Sequence, residues 1–173
     1  MGRMVTTGDR KNLNGRDGAR KLIASNRRAR RDYDIIETYE TGIVLSGSEV
    51  KSLRAGHAQV ADSYARVMNG QVWLDGVHIP PYQNAHGIGA HAPDRERKLL
   101  MHRREIDKLA HTVAIEHLAL VLLAMYFKDG RVKVELGLGR GRKKGDKRQA
   151  MAERDSKREM ARAMVRSAKG RDQ

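Results

Sequence analysis

Apolar residues are confined to the middle of the chain. Residues 26–139 hold nearly all of the Ile, Val, Leu, Tyr and Trp. Within that zone the alternation is mostly that of strands. "YDIIETYETGIVL", Tyr33 to Leu45, is rich in β-branched and aromatic residues, with Gly42 expected at a bulge or bend. "SYARVMNGQVWLDGVHI" reads as a hairpin turning at Asn69-Gly70, a pair suited to the positive φ of a type I′ turn. "LVLLAMYFKDGRVKVELGL" reads as a second, turning at Asp129-Gly130. Its first strand is apolar throughout, as expected of burial on both faces. Its second sets Val132, Val134, Leu136 and Leu138 against Arg131, Lys133 and Glu135.

Two segments have helical spacing instead. "SGSEVKSLRAG" places Ser46 and Glu49 at capping-box distance, with Val50 and Leu53 on one face and Gly56 at the stop. "RREIDKLAHTVAIEHLA" carries Ile106, Leu109, Val113 and Leu118. Five or six strands with two short helices predict a mainly β fold, a small closed or partly open barrel of the oligonucleotide-binding type.

The flanks lack this pattern. Residues 1–25 are rich in Gly, Asn, Thr, Arg and Lys, too polar to offset chain entropy by burial, and are expected to form a disordered basic arm. The tail, residues 140–173, is basic and nearly free of large aliphatic side chains. The expected organisation is therefore arm (1–25), domain (26–139) and tail (140–173).

Charge narrows the function. The net charge is +14 and only 39% of residues are apolar, so an acidic partner is needed, and nucleic acid is the most general one. A membrane surface fits less well, because the basic stretches lack interleaved Trp, Phe and Leu. "LALVLLAMYF" is too short to span a bilayer as a helix, and the N-terminus lacks a signal-like apolar stretch. A cytoplasmic protein is expected. With no cysteine there is neither a disulfide framework nor a thiolate metal site. His86 and His91 lie in a Gly-rich loop without metal-ligand spacing, and there is no P-loop. Glu37, Glu40, Glu49 and Glu135 are expected mostly as caps or ion-pair partners. No catalytic residue, cofactor or metal is predicted, and the chain is expected not to be an enzyme.

Cations cluster in "NRRARRDY", "EVKSLRAG", "RERKLLMHRRE", "KDGRVK" and "GRGRKKGDKR", each abutting an apolar segment. Cations on rigid elements can track a phosphate backbone, which positions a ligand without reading its sequence. Candidate RNA-binding residues in these clusters are Arg28, Arg30, Arg97, Lys133, Arg140, Arg142 and Lys143. Only 4% of residues are aromatic, which argues against a stacking platform and for recognition of a folded RNA by shape.

These same blocks carry a resemblance. "NRRARRDYDIIETYETGIVLSGSEVKSLRAG", "DSYARV", "NGQVWLDGVHIPPY", "RERKLLMHRREID" and "YFKDGRVKVELGLGRGRKKGDKR" resemble the small protein B family, bacterial partners of tmRNA in trans-translation. The resemblance covers roughly residues 26–160. It implies an oligonucleotide-binding-type barrel with flanking helices that binds the tRNA-like domain of tmRNA. It further implies entry of the complex into stalled ribosomes, where the nascent chain is tagged for degradation. The family's RNA-binding positions fall on Glu40, Lys51, Arg54, Lys98, Leu100 and His102. Two departures stand out: Gly145, where an aromatic residue or His commonly precedes the Asp, and Arg31, where His is usual.

Under that resemblance the tail acquires a role. Residues 146–169 contain no Gly or Pro before position 170, Asp146 suits an N-cap, and Ala, Met, Glu, Lys and Arg favour helix. Such a helix is marginal alone in water. It is expected to be disordered or conditionally helical, ordering in the empty mRNA channel against 16S rRNA. Gly145, Asp146, Lys147, Arg148, Lys157 and Arg158 are its candidate decoding-centre and channel contacts. A monomer is expected, with tmRNA and the ribosome as partners.

Overall fold

A computed structural model describes residues 19–56, 58–83 and 90–169, with the side chains of 144–147 and 167–169 outside the description. Its elements run β1 (Arg20–Ser25), α1 (Arg27–Asp32), β2 (Tyr33–Ile43), α2 (Gly47–Arg54), β3 (Tyr64–Met68) and β4 (Gln71–Asp75). They continue with β5 (Arg97–Leu100), α3 (Arg103–Glu116), β6 (Ala119–Lys128), β7 (Arg131–Gly141) and α4 (Lys144–Lys169).

Seven antiparallel strands pair in the order β1-β6-β3-β4-β5-β2-β7. β6 and β7 also pair, so the circuit returns on itself through six strands. The interior is filled by alternate residues of each strand, among them Val72, Leu74, Leu99, Leu122, Met125, Val134 and Leu136, with Leu53 of α2 and Leu109 of α3. Both expected hairpins form. Asn69 and Gly70 have φ of 52° and 70°, and Asp129 and Gly130 of 52° and 73°, the positive values that two-residue hairpin turns require.

β6 is buried on both faces, as its unbroken apolar run predicts. Leu120, Leu122 and Met125 join the main core, whereas Val121 and Leu123 pack with Ala29 of α1 in a second cluster. That second cluster explains α1, which the sequence does not announce. Its single small apolar residue covers the outer face of β6. Asn26 caps it by accepting from the Ala29 amide at 3.1 Å, and Asn26 Nδ2 donates to the Val60 carbonyl at 2.9 Å.

Four expectations are corrected. Residues 20–25, assigned to the disordered arm, form β1 and pair with β6, because Ile23 and Ala24 pack on the core. Residues 1–18 lie outside the described residues. Gly42 is neither bulge nor bend: the irregularity in β2 falls between Ile35 and Glu37, and Gly42 pairs regularly with Leu100 and Lys133. The Glu49 carboxylate does not close a capping box. The Glu49 amide donates to Ser46 Oγ at 3.4 Å, but the Glu49 side chain turns inward to arginines. α4 begins at Lys144, ahead of the expected cap at Asp146.

Candidate nucleic-acid interface

The register fixes which side chains share the outer surface. On β5, Arg97 and Leu99 point inward, so Lys98 and Leu100 point outward. Leu100 pairs with Gly42, Gly42 with Lys133, and Lys133 with Tyr126. These residues therefore form one row across β5, β2, β7 and β6. A Cβ on Gly42 would stand 3.2 Å from Leu100 Cβ, so the glycine leaves Leu100 room to lie over β2. The Leu100 side chain is 52% exposed, although it is large and apolar. Leu100, Gly42, Val50, Arg131 and Lys133 line one shallow depression, and Val50 brings the start of α2 to its rim.

Glu40 lies one pair along β2 and anchors a cationic cluster. Its carboxylate accepts from the Tyr126 hydroxyl at 2.5 Å and from Lys128 Nζ at 3.1 Å, and it lies 3.2 Å from Arg20 Nη2. The Arg20 guanidinium also sits over the Tyr126 ring, 5.0 Å from its centroid. Burial acts to raise the Glu40 pKa, but the Tyr126, Lys128 and Arg20 contacts outweigh it and hold the carboxyl below its ordinary range. Burial, and then the bond to Glu40, push the Tyr126 hydroxyl well above the usual tyrosine range. A carboxylate has about four lone-pair sites. Oε2 takes Tyr126, Arg20 and a second, 3.5 Å contact from Lys128, while Oε1 takes Lys128 alone at 3.1 Å, so the open acceptor position for a ribose or base donor is on Oε1. Arg20 and Lys128 are members of this surface that sequence reasoning missed, as is Tyr126, which is buried beneath Arg20 and supports Glu40 from below. Their signal was weak, because Arg20 lay in a supposed disordered arm.

The other candidates are distributed as follows. Lys51 and Arg54 project from α2, with Lys51 Nζ 5.8 Å from the centroid of Tyr82. His102 precedes α3, and its amide donates to Glu105 Oε2 at 3.3 Å. Arg28 and Arg30 are on α1, and Arg30 adjoins the Glu40 cluster through Glu135, the cross-strand partner of Glu40. Arg28 pairs with Asp62 at 3.0 Å, and Arg30 with Glu135 at 3.6 Å. Arg140 is exposed. Arg142 reaches Asp34 at 3.7 Å, and its amide donates to the Asp32 carbonyl at 2.9 Å, which ties the end of β7 to α1. Lys143, Arg148, Lys157 and Arg158 are exposed, the last three on α4. The side chains of Gly145's neighbours Asp146 and Lys147 lie outside the described residues, as does His86. His91 is committed elsewhere. Its Nε2 donates to the Ile79 carbonyl at 2.9 Å, and its Nδ1 is hydrogen-bonded with Ser48 Oγ at 2.9 Å.

Arg97 is a correction. It is fully buried and cannot touch RNA. Its Nε donates to Glu49 Oε2 at 3.0 Å, Nη1 to the Val77 and Arg95 carbonyls at 2.8 and 3.0 Å, and Nη2 to the Pro93 carbonyl at 2.9 Å. Glu49 is equally buried and also accepts from Arg95. Burial lowers the Arg97 pKa and the Glu49 carboxylate opposes that shift. The pair bolts α2, which carries Lys51 and Arg54, to β5, which carries Lys98 and Leu100.

The model of the SmpB protein family matches residues 23–166. The chain belongs to the SmpB family. An SsrA-binding protein of Parafrankia sp. (strain EAN1pec) is 56% identical over 156 residues, 90% of this chain and 98% of that protein. The SsrA-binding protein of Mycobacterium leprae (strain TN) is 54% identical over 153 residues, 88% of this chain and 95% of that one. A solved SmpB chain, from work described as "tmRNA-SmpB: a journey to the center of the bacterial ribosome", superposes with a TM-score of 0.58 at 47% identity. It covers 70% of this chain and 85% of its own. Among the described residues, no helix is long and apolar enough to cross a membrane, and no cluster of His, Asp and Glu could hold a metal.

Proposed function

We propose that this SmpB-family chain binds tmRNA and acts with it on the ribosome in trans-translation. The observation that carries the reading is the unbroken outer row Leu100–Gly42–Lys133–Tyr126, flanked by Lys98 and by the Glu40 cluster. It combines an exposed apolar side chain, fixed cations and one free acceptor position on a rigid sheet. Leu100 suits the face of an unstacked base, Lys98 and Lys133 suit phosphates, and Glu40 suits a ribose or base donor. Lys51, Arg54 and His102 extend the same surface at its α2 and α3 margins. The closed pairing circuit supports an oligonucleotide-binding-type barrel.

The chain acts by binding and positioning, without catalysis, as a cytoplasmic monomer. The tail beyond Lys143 enters the empty mRNA channel, where Gly145 leaves the aromatic contact common at that position to be made by other groups. Its charges are then satisfied by ribosomal RNA only when mRNA is absent.

The test compares affinity for the tRNA-like domain of tmRNA with that for bulk tRNA at one fixed salt concentration, since phosphate contacts make any affinity salt-dependent. The intact chain is expected to prefer the tRNA-like domain. K98A/L100A is expected to lose at least about tenfold (~1.4 kcal/mol) toward it, with a much smaller loss toward bulk tRNA. Equal binding of both RNAs by the intact chain overturns the reading.

A further inference from the structure

A second basic surface adjoins the row just described, meeting it where Arg30 pairs with Glu135, the cross-strand partner of Glu40. α1 and α4 face each other across a cleft lined by Arg27, Arg28 and Arg31 on one wall and by Met151, Arg154, Asp155 and Arg158 on the other, five guanidinium groups against one carboxylate. The cleft continues along α4 past Lys157 to Ala161, with Arg30 on the α1 side. Some of these cations are already paired: Arg28 and Arg31 with Asp32, and Arg30 with Glu135. Among the described residues, Arg27, Lys157 and Arg158 form no ion pair. The direct hydrogen bond joining the two helices runs from Arg154 Nη2 to the Arg30 carbonyl, 3.0 Å long.

Two cationic helices held this close repel each other, and one hydrogen bond offsets little of that repulsion. An anion in the cleft reverses the sign of the interaction for both walls at once. The lining selects its chemistry. It is mostly arginine, whose planar fork matches phosphate oxygens in pairs. Met151 is the one large apolar side chain lining it, so a lipid surface finds little to bury against. The stretch from Met151 to Ala161 is about 15 Å of helix, at ~1.5 Å per residue. That length accommodates several successive phosphates of one strand. A repeating linear polyanion fits this shape better than an isolated phosphate.

We propose that the α1–α4 cleft is a second RNA site. It takes the phosphodiester backbone of a single strand without reading its bases, and in doing so clamps α4 against α1. The site joins Arg28 and Arg30, from the body, with Lys157 and Arg158, from the tail, in one function. It requires that the chain act on RNA, but not that the Leu100 face be the surface that selects tmRNA.

The test uses the full chain and a labelled twelve-residue oligouridine, which has no tRNA-like shape, followed by fluorescence anisotropy across a salt series. R27A/R158A, both exposed positions, is expected to weaken binding about tenfold. It should also flatten the salt dependence by about 1.4, two phosphates at ~0.7 each. K98A/L100A is expected to bind the oligonucleotide within about twofold of the parent. Because the chain has no cysteine, E116C/A163C can carry a pair of spin labels, and the oligonucleotide is expected to narrow their distance distribution. Parental affinity in R27A/R158A, or an unchanged distribution, overturns the proposal. Loss of oligouridine binding in K98A/L100A alone also overturns it, by assigning the strand to the sheet. Failure of the tmRNA reading is separate, since that appears only as lost preference for the tRNA-like domain.

Discussion

Replacing Arg97 by Met should destabilise the fold while leaving the outward-facing charges of the sheet in place. The side chain is completely buried and makes four hydrogen bonds, one to Glu49 and three to main-chain carbonyls. Removing one member of a buried ion pair costs about 3–5 kcal/mol, because the other charge loses its compensation. The two halves of this pair differ. In R97M, Glu49 keeps Arg95, whose side chain is 34% exposed, so the loss should sit near 3 kcal/mol. In E49M, the Arg97 guanidinium stays buried with only carbonyl partners, and the loss should approach 5 kcal/mol. At roughly 3 °C per kcal/mol for a domain of this size, these are Tm decreases of about 9 and 15 °C.

The double variant R97M/E49M should recover part of the loss, since an apolar pair of similar volume often substitutes for a buried ion pair. A coupling energy of at least about 1.5 kcal/mol is expected from the cycle, measured by urea unfolding. The same proteins distinguish a structural arginine from a phosphate contact. With R97M kept well below its Tm, the slope of log affinity against log salt should match the parent. A change of about one unit, the share of one phosphate, would place Arg97 on RNA. A stability loss under about 1 kcal/mol in R97M would refute the argument from burial.

Two further outcomes follow from single contacts. The Glu40 carboxyl is held below its ordinary range in the folded chain, so its contribution is complete above that range and lost as pH falls through the depressed value. E40Q should therefore be less stable than the parent near neutrality, by about 1 kcal/mol after allowance for partial exposure, and the gap should close in acid when thermal unfolding is followed against pH. At Asn26, Ala removes the α1 cap but not the satisfaction of the Val60 carbonyl, which also accepts from Ser63 Oγ at 2.6 Å. N26A should cost about 1–2 kcal/mol. N26D keeps the cap but buries a carboxylate against that carbonyl, and should cost more in the same denaturation assay.

What the sequence discloses follows from how each element is stabilised. β6 and β7 declare themselves because their partners lie in the core, so side-chain polarity reports side-chain direction. β5 has only four residues, and its inward positions are Arg97 and Leu99. A buried arginine inverts the expected pattern, and in a basic cluster it looks like one more phosphate ligand. Its explanation is Glu49, almost fifty positions earlier and legible only as part of a cap. α1 and β1 were hidden for a related reason. Each offers the core one or two small or medium apolar residues, Ala29 in one and Ile23 with Ala24 in the other. Of the candidate surface, the sequence discloses single positions but not which of them adjoin. Lys98 and Leu100, which the resemblance implies, share one face with Lys133 of a cationic cluster, whereas Tyr126, Lys128 and Arg20 need the pairing of β6 with β1 and β7.

The two basic surfaces are connected through β7. Its register with β2 runs from Lys133 opposite Gly42, within the Leu100 row, to Gly141 opposite Tyr33, beside α1. Arg142 then closes on Asp32 and Asp34. The strand that fixes the sheet surface thus also fixes where the tail leaves the body. Beyond that anchor the hold weakens: the side chains described on α4 are exposed or, at Ala150, half-buried. A face set by cross-strand register can discriminate RNA shapes, because its charges cannot shift to suit a poor ligand. A helix attached at one end and lined with cations facing those of its neighbour suits the opposite task, since on the proposal above a polyanion in the cleft would decide its position.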